Sequence, residues 1–441
     1  MNRKKFYIET YGCQMNVADS EVVKSILNED DYLMTTDINQ ADLILVNTCS
    51  IRENAEQRVW GRLDKFRQIK KENPEVTVGV IGCMAERLKE KLVEKEKSVD
   101  LVIGPDAYRV LPQLLEKVES GQKGINTILS KEETYGDIVP VRSAENNISA
   151  FISIMRGCNN MCSYCIVPYV RGGERSRNPQ TILNEIKLLE KEGFKEITLL
   201  GQNVNSYNWE ENNQEMNFAQ LLSKAAQTAP SIRFRFATSH PKDLSDEIIT
   251  TMAEHTNICR HIHLPVQSGS TKVLKKMNRK YSREWYIDRI DAIKKHLPDA
   301  EITTDIMTGF CSESEDDHQE TLSLMEYAQY DYAYMFKYSE RPGTKASRKM
   351  EDDVPEKIKK RRLNEIIELQ NNISSKNKLK TIGKVFNTLI EGTSKKSKNE
   401  YFGRNSQNQV IVFPKGNENI GDIVQVKINK TTPATLIGKK V

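Results

Sequence analysis

Residues 150–165 read AFISIMRGCNNMCSYC: an apolar run of strand length, a turn glycine, then three cysteines spaced CxxxCxxC. Short runs rich in Ile and Phe that end at a glycine read as buried strands. Three thiolates this close converge on one centre, and soft sulfur suits iron or zinc. A fully ligated iron–sulfur cluster takes four cysteines, so three leave one iron open to a substrate or cofactor. Structural zinc is less well served, because no fourth Cys or His lies at close ligand spacing.

Downstream, the same strand signal recurs in EITLLGQN (196–203), IRFRFATSHP (232–241), HIHLPVQSG (261–269), EITTDIMTGF (301–310) and YDYAYMFKYS (330–339). Six strands separated by helical segments predict a partial (β/α)6 barrel with its functional groups at the C-terminal strand ends. A charged helix over 355–380 leads into a tail with short alternating runs, KVFNTLIEG, QVIVFP and IVQVKINK, broken by Gly and Asn. That pattern predicts a small antiparallel β-barrel.

Upstream, FYIETYG, ADLILVNTC, VTVGVIGC and VDLVIGP alternate with helical patterns over 19–29, 52–72, 85–95 and 108–119. Such alternation predicts a parallel sheet covered by helices. Cys13, Cys49 and Cys83 each end one of these strands, at separations of 36 (13 to 49) and 34 (49 to 83) residues. In a parallel sheet all three strand ends meet one edge, where loops build sites. A single strand-end cysteine reads as a small core residue. Three at equivalent positions favour a second metal centre. Cys259 and Cys311 lack ligand spacing and read as packing or loop thiols.

The chain thus divides into an N-terminal α/β domain (1–120), a polar linker (121–147), the barrel (148–378) and the small C-terminal barrel (379–441). With 29% charged, 38% apolar and 7% aromatic residues, the 441-residue chain reads as a globular protein of several domains. No apolar run approaches the roughly 20 residues that span a bilayer. The start MNRKKFYIETYGCQMN shows no signal-peptide h-region, which makes the chain cytoplasmic, without a membrane role. Eight cysteines in that reducing compartment argue for metal or catalysis rather than disulfides. Residues 376–441 hold 13 Lys+Arg against 4 Asp+Glu, a net of +9, leaving −5 on the rest of a chain that totals +4. A basic tail on an acidic body fits a polyanion partner, or simply a lysine-rich solvated surface.

The run Cys158-Asn159-Asn160-Met161-Cys162-Ser163-Tyr164-Cys165 resembles the CxxxCxΦC signature of radical S-adenosylmethionine enzymes. The resemblance implies a 4Fe-4S cluster whose open iron binds S-adenosylmethionine, with Tyr164 near the adenine or simply packed beneath the loop. Gly201, Gln202 and Asn203, with Gln267 and Ser268, match positions where this superfamily holds S-adenosylmethionine; ordinary loop hydrogen bonding is the alternative. Gly309 offers close backbone approach, but Cys311-Ser312-Glu313 departs from the Pro-Gly-Glu expected there.

Across the whole chain YGCQMN, NTCSIRENAE, GCMAE, GCNNMCSYCIVPYVRGGERSR and LPVQSGSTKVLKKMNRKY resemble the methylthiotransferase family, and the tail resembles a TRAM domain, an RNA-binding barrel. GCQMN and RGGERSR are most similar to the group that converts N(6)-(dimethylallyl)adenosine, beside the anticodon of tRNA, to its 2-methylthio form. The resemblance implies a second 4Fe-4S cluster on Cys13, Cys49 and Cys83 as methylthio carrier. It also implies one S-adenosylmethionine that methylates a sulfur there and another that gives the radical. The implied partner is the anticodon stem-loop, met by a monomer; the electron donor and the sulfur source are unread. No catalytic role is assigned beyond the six cysteines.

Arg171, Arg175 and Arg177 could meet tRNA phosphates, the acidic group of S-adenosylmethionine, or surface carboxylates. His240, His261 and His263 read as structural rather than metal-bound. Phe386, Tyr401, Phe402 and Phe413 read as barrel core, with one or two free to stack on RNA bases. Two other substrates stay open within the family, threonylcarbamoyl-adenosine in tRNA and a ribosomal-protein aspartate. From another class, a non-catalytic zinc-stabilised RNA-binding protein would use the same cysteines and tail.

Overall fold

A computed structural model describes residues 3–50, 53–142 and 148–441. Ile51 and Arg52, within the motif around Cys49, and residues 143–147 lie outside it. The N-terminal domain is a six-stranded parallel sheet in the order Leu33–Met34, Lys5–Tyr11, Leu43–Thr48, Thr77–Gly82, Leu101–Ile103, Gly124–Asn126. Alternate side chains of one strand enter opposite cores, as the two-residue pleat requires. Leu43 and Leu45 pack with Val23, Leu27 and Leu111 on one face, while Ile44 and Val46 meet Val59, Leu63 and Phe66 on the other.

Two of these strands escaped the sequence pattern. Leu33–Met34 is two residues at an exposed edge, and Gly124–Asn126 is three, too short to show a period. The latter lies in the segment expected as a linker, which is no loose tether. Beyond it Tyr135 is buried and stacks on Tyr108 at 5.6 Å. Arg142 pairs with Glu21 at 2.6 Å and also with Glu185. The helix expected from Asp19 starts earlier, at Gln14–Glu29, because Cys13 already serves as its N-cap. The helix expected over 85–95 is two, Cys83–Leu88 and Glu90–Lys95, broken at Lys89 with φ 52°.

All six barrel strands form, as two parallel triplets. One joins Ser149–Ser153, Glu196–Leu200 and Arg233–Ala237; the other joins His261–His263, Glu301–Thr308 and Tyr332–Lys337. Ile197, Leu199, Phe234 and Phe236 face the surrounding helices in the main core. The intervening residues of those strands, Glu196, Thr198, Arg233 and Arg235, therefore line the interior. Helix Glu356–Leu379 follows. A charged hairpin, Asn208–Glu211 with Gln214–Asn217, has no apolar alternation and gave no sequence signal.

The tail closes into a five-stranded barrel: Val385–Thr393, Glu400–Arg404, Val410–Pro414, Leu436–Lys440, Ile423–Thr431. Four of its five pairings are antiparallel; Val410–Pro414 runs parallel to Leu436–Lys440, which corrects the all-antiparallel expectation. Phe413 is core, with Phe386 and Tyr401 packed against it, and Phe402 is half-buried.

The 404–409 turn of this small barrel seats on the N-terminal ends of the large one. Arg233 Nη1 donates to the Arg404 carbonyl at 3.0 Å, and Arg235 donates to the carbonyls of Asn405 and Ser406 at 2.6 and 3.0 Å. Arg235 also pairs with buried Glu196 at 2.9 Å. Replacing Arg235 by Met strips Glu196 of that partner and both carbonyls of their donors. Urea unfolding of Arg235→Met is expected to lose about 3 kcal/mol; a change below about 0.5 kcal/mol would mean the turn does not hold the two barrels together.

Candidate active site

The three N-terminal cysteines sit at adjacent strand ends. Cys13 follows Lys5–Tyr11 by two residues, Cys49 follows Leu43–Thr48, and Cys83 follows Thr77–Gly82. Gly12 and Gly82 make the close approach possible. A Cβ on Gly12 would stand 2.7 Å from that of Cys49, and one on Gly82, whose φ is +89°, would stand 2.4 Å from Asn47 Oδ1. Beneath them Asn16 and Asn47 clasp each other: Asn16 Nδ2 donates to Asn47 Oδ1 at 3.0 Å, and Asn47 Nδ2 to the Asn16 carbonyl at 2.9 Å. Cys13 Sγ lies 3.3 Å from Asn16 Oδ1. The asparagines of YGCQMN and NTC are thus the fixture that registers two of the thiols.

A hydrogen bond from Cys49 brings the Cys13 thiol down to about 6, with the nearby Arg171 charge acting in the same sense. Burial pushes Cys83 up, partly countered by Arg171, whose Nε donates to Cys83 Sγ at 3.2 Å. Cys13 packs on a small cluster of Met15, Ala18 and Leu200, the last at a C-terminal strand end of the large barrel, and Phe151 and Ala237 pack on the same cluster. Cys83 shares a buried cluster with Ile166, the residue after Cys165, and with Val170. Both halves of the molecule therefore contribute to one site.

In the 158–165 loop, Gly157 has φ +78°, and a Cβ there would stand 1.8 Å from the Gly173 carbonyl oxygen. Backbone bonds from Cys158 N to Gly172 O at 3.1 Å, Ser163 N to Met277 O at 2.9 Å and Ala346 N to Ser163 O at 2.7 Å tether the loop on three sides. Burial raises the thiols of Cys158 and Cys165 to about 11 and about 12, and each thiol feels the charge of Cys162. Arg279, from LPVQSGSTKVLKKMNRKY, is buried with Nη1 3.4 Å from both Cys162 Sγ and the Tyr164 hydroxyl. Each cysteine triad thus has one buried guanidinium against one of its sulfurs, and neither arginine was singled out for that role by spacing.

Among the described residues, no three His, Cys, Asp or Glu side chains are gathered tightly enough to hold a metal ion as they stand. Two sets of three soft thiols suit iron–sulfur clusters, each leaving one iron without a protein ligand. Buried polar atoms at the C-terminal strand ends point the same way. Ser153 Oγ, Asn203 Oδ1, Ser239 Oγ, His240 Nε2 and Thr308 Oγ1 have no hydrogen-bond partner among the described residues. Buried polar groups are rarely left so, and a polar ligand at the barrel mouth would satisfy them.

The other residues expected at the cofactor have visible fold duties. Tyr164 packs edge-on to Phe310 at 6.3 Å. Gly201 leaves room for Met155, since a Cβ there would stand 2.4 Å from its Cγ. Gln202 Oε1 accepts from Gly157 N at 2.5 Å and so holds the cysteine loop, while Asn203 Nδ2 donates to Asp243 at 2.7 Å. Gln267 has φ +69° and bridges into the fifth strand through its backbone. Ser268 Oγ accepts from Ser270 N at 3.2 Å. Gly309 clears the stem of Lys359. Ser312, replacing the expected glycine, takes φ +60°, and Glu313 still closes the turn on Gly309 N at 2.9 Å and Arg362 at 2.9 Å. Cys259 and Cys311 are buried, Cys311 in a cluster with Phe310 and Tyr338.

Arg171, Arg175 and Arg177 are neither surface cations nor free for phosphate. All three are buried, pairing with Asp19 at 2.7 Å, Asp106 at 2.9 Å and Glu185 at 2.5 Å. His261 and His263 both hydrogen-bond Thr303, and burial pushes His240 and His261 well below the usual imidazole range.

A partial barrel of six parallel strands with three cysteines after its first strand defines a radical S-adenosylmethionine enzyme, and the Radical SAM superfamily model matches residues 152–325. The N-terminal domain matches Uncharacterized protein family UPF0004 over 5–104, and the tail matches the TRAM domain over 379–441. The tRNA-2-methylthio-N(6)-dimethylallyladenosine synthase of Bacteroides fragilis is 56% identical over 441 residues, all of this chain and 96% of that protein. The protein of the same name from Bacteroides thetaiotaomicron is 55% identical over all of this chain and 97% of its own length. The chain belongs to the tRNA-2-methylthio-N(6)-dimethylallyladenosine synthase family. Among solved structures, the radical S-adenosylmethionine methyltransferase TsrM from Kitasatospora setae, with tryptophan and a SAM analogue bound, shares the fold. Its TM-score is 0.60 at 13% identity over 78% of this chain and 75% of that one.

One buried acid went unnoticed in GCMAE. Glu86 Oε2 has no hydrogen-bond partner among the described residues, and burial raises the carboxyl to about 7, against a partly offsetting Lys89 at 3.3 Å. The folded state thus holds this proton more tightly than the unfolded chain, so the stability it contributes at acid pH is lost as pH rises through 7. Glu86→Gln keeps the shape and removes the charge. Its urea midpoint is expected above the parent's at pH 8, with the gap closing toward pH 5; a gap independent of pH would contradict the assignment.

Proposed function

We infer that this chain transfers a methylthio group to N(6)-(dimethylallyl)adenosine in tRNA, at the adenosine beside the anticodon. One observation carries the reading: the domains that bear the two cysteine triads meet beside them, Cys83 sharing a buried cluster with Ile166, the residue after Cys165. A second thiol set has no use in a simple radical methyl transfer, whereas a sulfur-inserting enzyme needs one set for sulfur and one for radical chemistry. On this reading Cys158, Cys162 and Cys165 hold a 4Fe-4S cluster that leaves one iron for S-adenosylmethionine, and Cys13, Cys49 and Cys83 hold another. When bound, these groups supply the one-electron chemistry and the sulfur that an unactivated aromatic C–H carbon demands and side chains cannot provide.

The chain's own residues bind, orient and shield. Gln202 fixes the turn at Gly157, so the three loop thiols keep their spread. Tyr164, Gly201, Asn203, Gln267 and Ser268 are the proposed border of the S-adenosylmethionine site, with unpartnered Asn203 Oδ1 the side-chain atom readiest to accept from it. The basic tail domain is anchored at the N-terminal strand ends, whereas the cysteines sit at the C-terminal ends. An eight-residue strand such as Glu301–Thr308 spans on the order of 25 Å at about 3.3 Å per residue. A substrate that touches both ends is a macromolecule, which supports an anticodon stem-loop over a free nucleoside. We read the protein as a cytoplasmic monomer; among the described residues no helix is long and apolar enough to cross a membrane.

Anaerobic reconstitution is expected to load about eight irons per chain, two clusters of four. Incubated with S-adenosylmethionine, a low-potential reductant and tRNA carrying the dimethylallyl group, the protein should yield 2-methylthio-N(6)-(dimethylallyl)adenosine by nucleoside mass spectrometry. Cys83→Ala should retain about half the iron and give no product. Full activity of Cys83→Ala, or methylthiolation of threonylcarbamoyl-adenosine instead, would overturn the reading.

A further inference from the structure

Arg171 ends the short helix Val167–Arg171, six residues after Cys165, and so belongs to the large barrel. Its guanidinium nevertheless reaches into the N-terminal domain. Nε donates to Cys83 Sγ at 3.2 Å and Nη2 donates to Asp19 Oδ2 at 2.7 Å. The side chain is 4% exposed, and Nη1 has no hydrogen-bond partner among the described residues. A buried donor of a charged group left unpaired is costly, and an acceptor arriving between the thiols would remove that cost. The inorganic sulfide of a bound cluster is such an acceptor.

We propose that Arg171 is a tuning residue for the N-terminal cluster, a cation and N–H donor lent by the barrel domain that raises that cluster's reduction potential. This rests on the reading of Cys13, Cys49 and Cys83 as cluster ligands. Reduction adds negative charge that spreads onto the sulfurs. Hydrogen bonds to sulfur and a nearby positive charge stabilise the reduced form more than the oxidised one, so both move the potential upward. Asp19 keeps the guanidinium in place and is itself shared with Arg156, which donates to Asp19 Oδ1 at 2.8 Å. Arg156 also meets Asp106 at 3.5 Å, and Arg175 pairs with that acid, so three guanidinium groups share two carboxylates and the local set stays cationic toward the thiols. The N-terminal centre therefore reaches its working potential only when the two domains are docked.

The test uses the full chain carrying Cys158→Ala, Cys162→Ala and Cys165→Ala, so that one cluster alone contributes. Iron and sulfide analysis comes first: a chain without iron overturns the ligand reading and the proposal with it. With the cluster present, redox titration followed by electron paramagnetic resonance is expected to place Arg171→Met at a more negative midpoint. Arg171→Lys, which keeps the charge and loses the fork, should shift less in the same direction. Arg142→Met is the control for a loosened boundary: Arg142 joins Glu21 to the Phe151 carbonyl across the same domains, 2.6 Å to each, and none of its polar contacts is to a cysteine. An unshifted midpoint in Arg171→Met, or an equal shift in Arg142→Met, overturns the proposal. Should Arg171→Met fail to fold, an unchanged midpoint in Arg171→Lys overturns it instead.

Discussion

The Asp19 carboxylate, buried between two domains and held by two guanidinium groups, is the contact on which the rest of the site depends. It comes from the helix that Cys13 caps, while Arg156 and Arg171 flank the radical-cluster loop in sequence. Burial alone would raise its pKa; the charges of Arg156 and Arg171 outweigh that and hold it ionised, below the usual carboxylate range. Breaking a buried pair by removing one partner costs about 3–5 kcal/mol, because the other charge stays buried. Here one deletion would strip Arg171 of its carboxylate and leave Arg156 only Asp106, at 3.5 Å. The cost of separation explains how two α/β units with independent cores keep two thiol sets adjacent.

From that anchor the site's economy of parts becomes clear. The thiols sit where rigid strands end, and small residues rather than large ones decide how closely the ends meet. Gly12, Gly82 and Gly157 each stand where a Cβ would strike a neighbour below 3.0 Å. Asn16 and Asn47 tie the helix that Cys13 caps to the strand that ends just before Cys49, through two hydrogen bonds. On the opposite end of the barrel, Arg233 and Arg235 grip backbone carbonyls of the tail domain. The chain thus has a chemical end and a docking end, joined by one barrel.

Much of this was legible before any coordinates. Period, strand length and turn glycines located all six barrel strands and four of the N-terminal six, because these lie in β-rich segments closed by turn residues. The strand-end positions of Cys13, Cys49 and Cys83 were readable from the sequence alone. What escaped was either too short to have a period, such as Leu33–Met34 and Gly124–Asn126, or depended on distant partners. Arg171 and Arg279 are such cases: a linear sequence marks a cation but not whether it is buried, and both could pass for surface charges. Arg175 and Arg177 are also buried, on Asp106 and Glu185, for the same reason. Glu86 shows the converse, an acid in a helical run whose burial is set by Gly104 making room for it.

Two sulfur-ligated iron centres facing each other across this domain boundary are what the proposed function requires of the six thiols. Anomalous diffraction at the iron absorption edge, from crystals of anaerobically reconstituted protein, tests that requirement most directly. Two iron peaks are predicted, one among Cys13, Cys49 and Cys83 and the other among Cys158, Cys162 and Cys165. A single peak, or density at either triad that appears at the zinc edge instead, would rule out two iron centres.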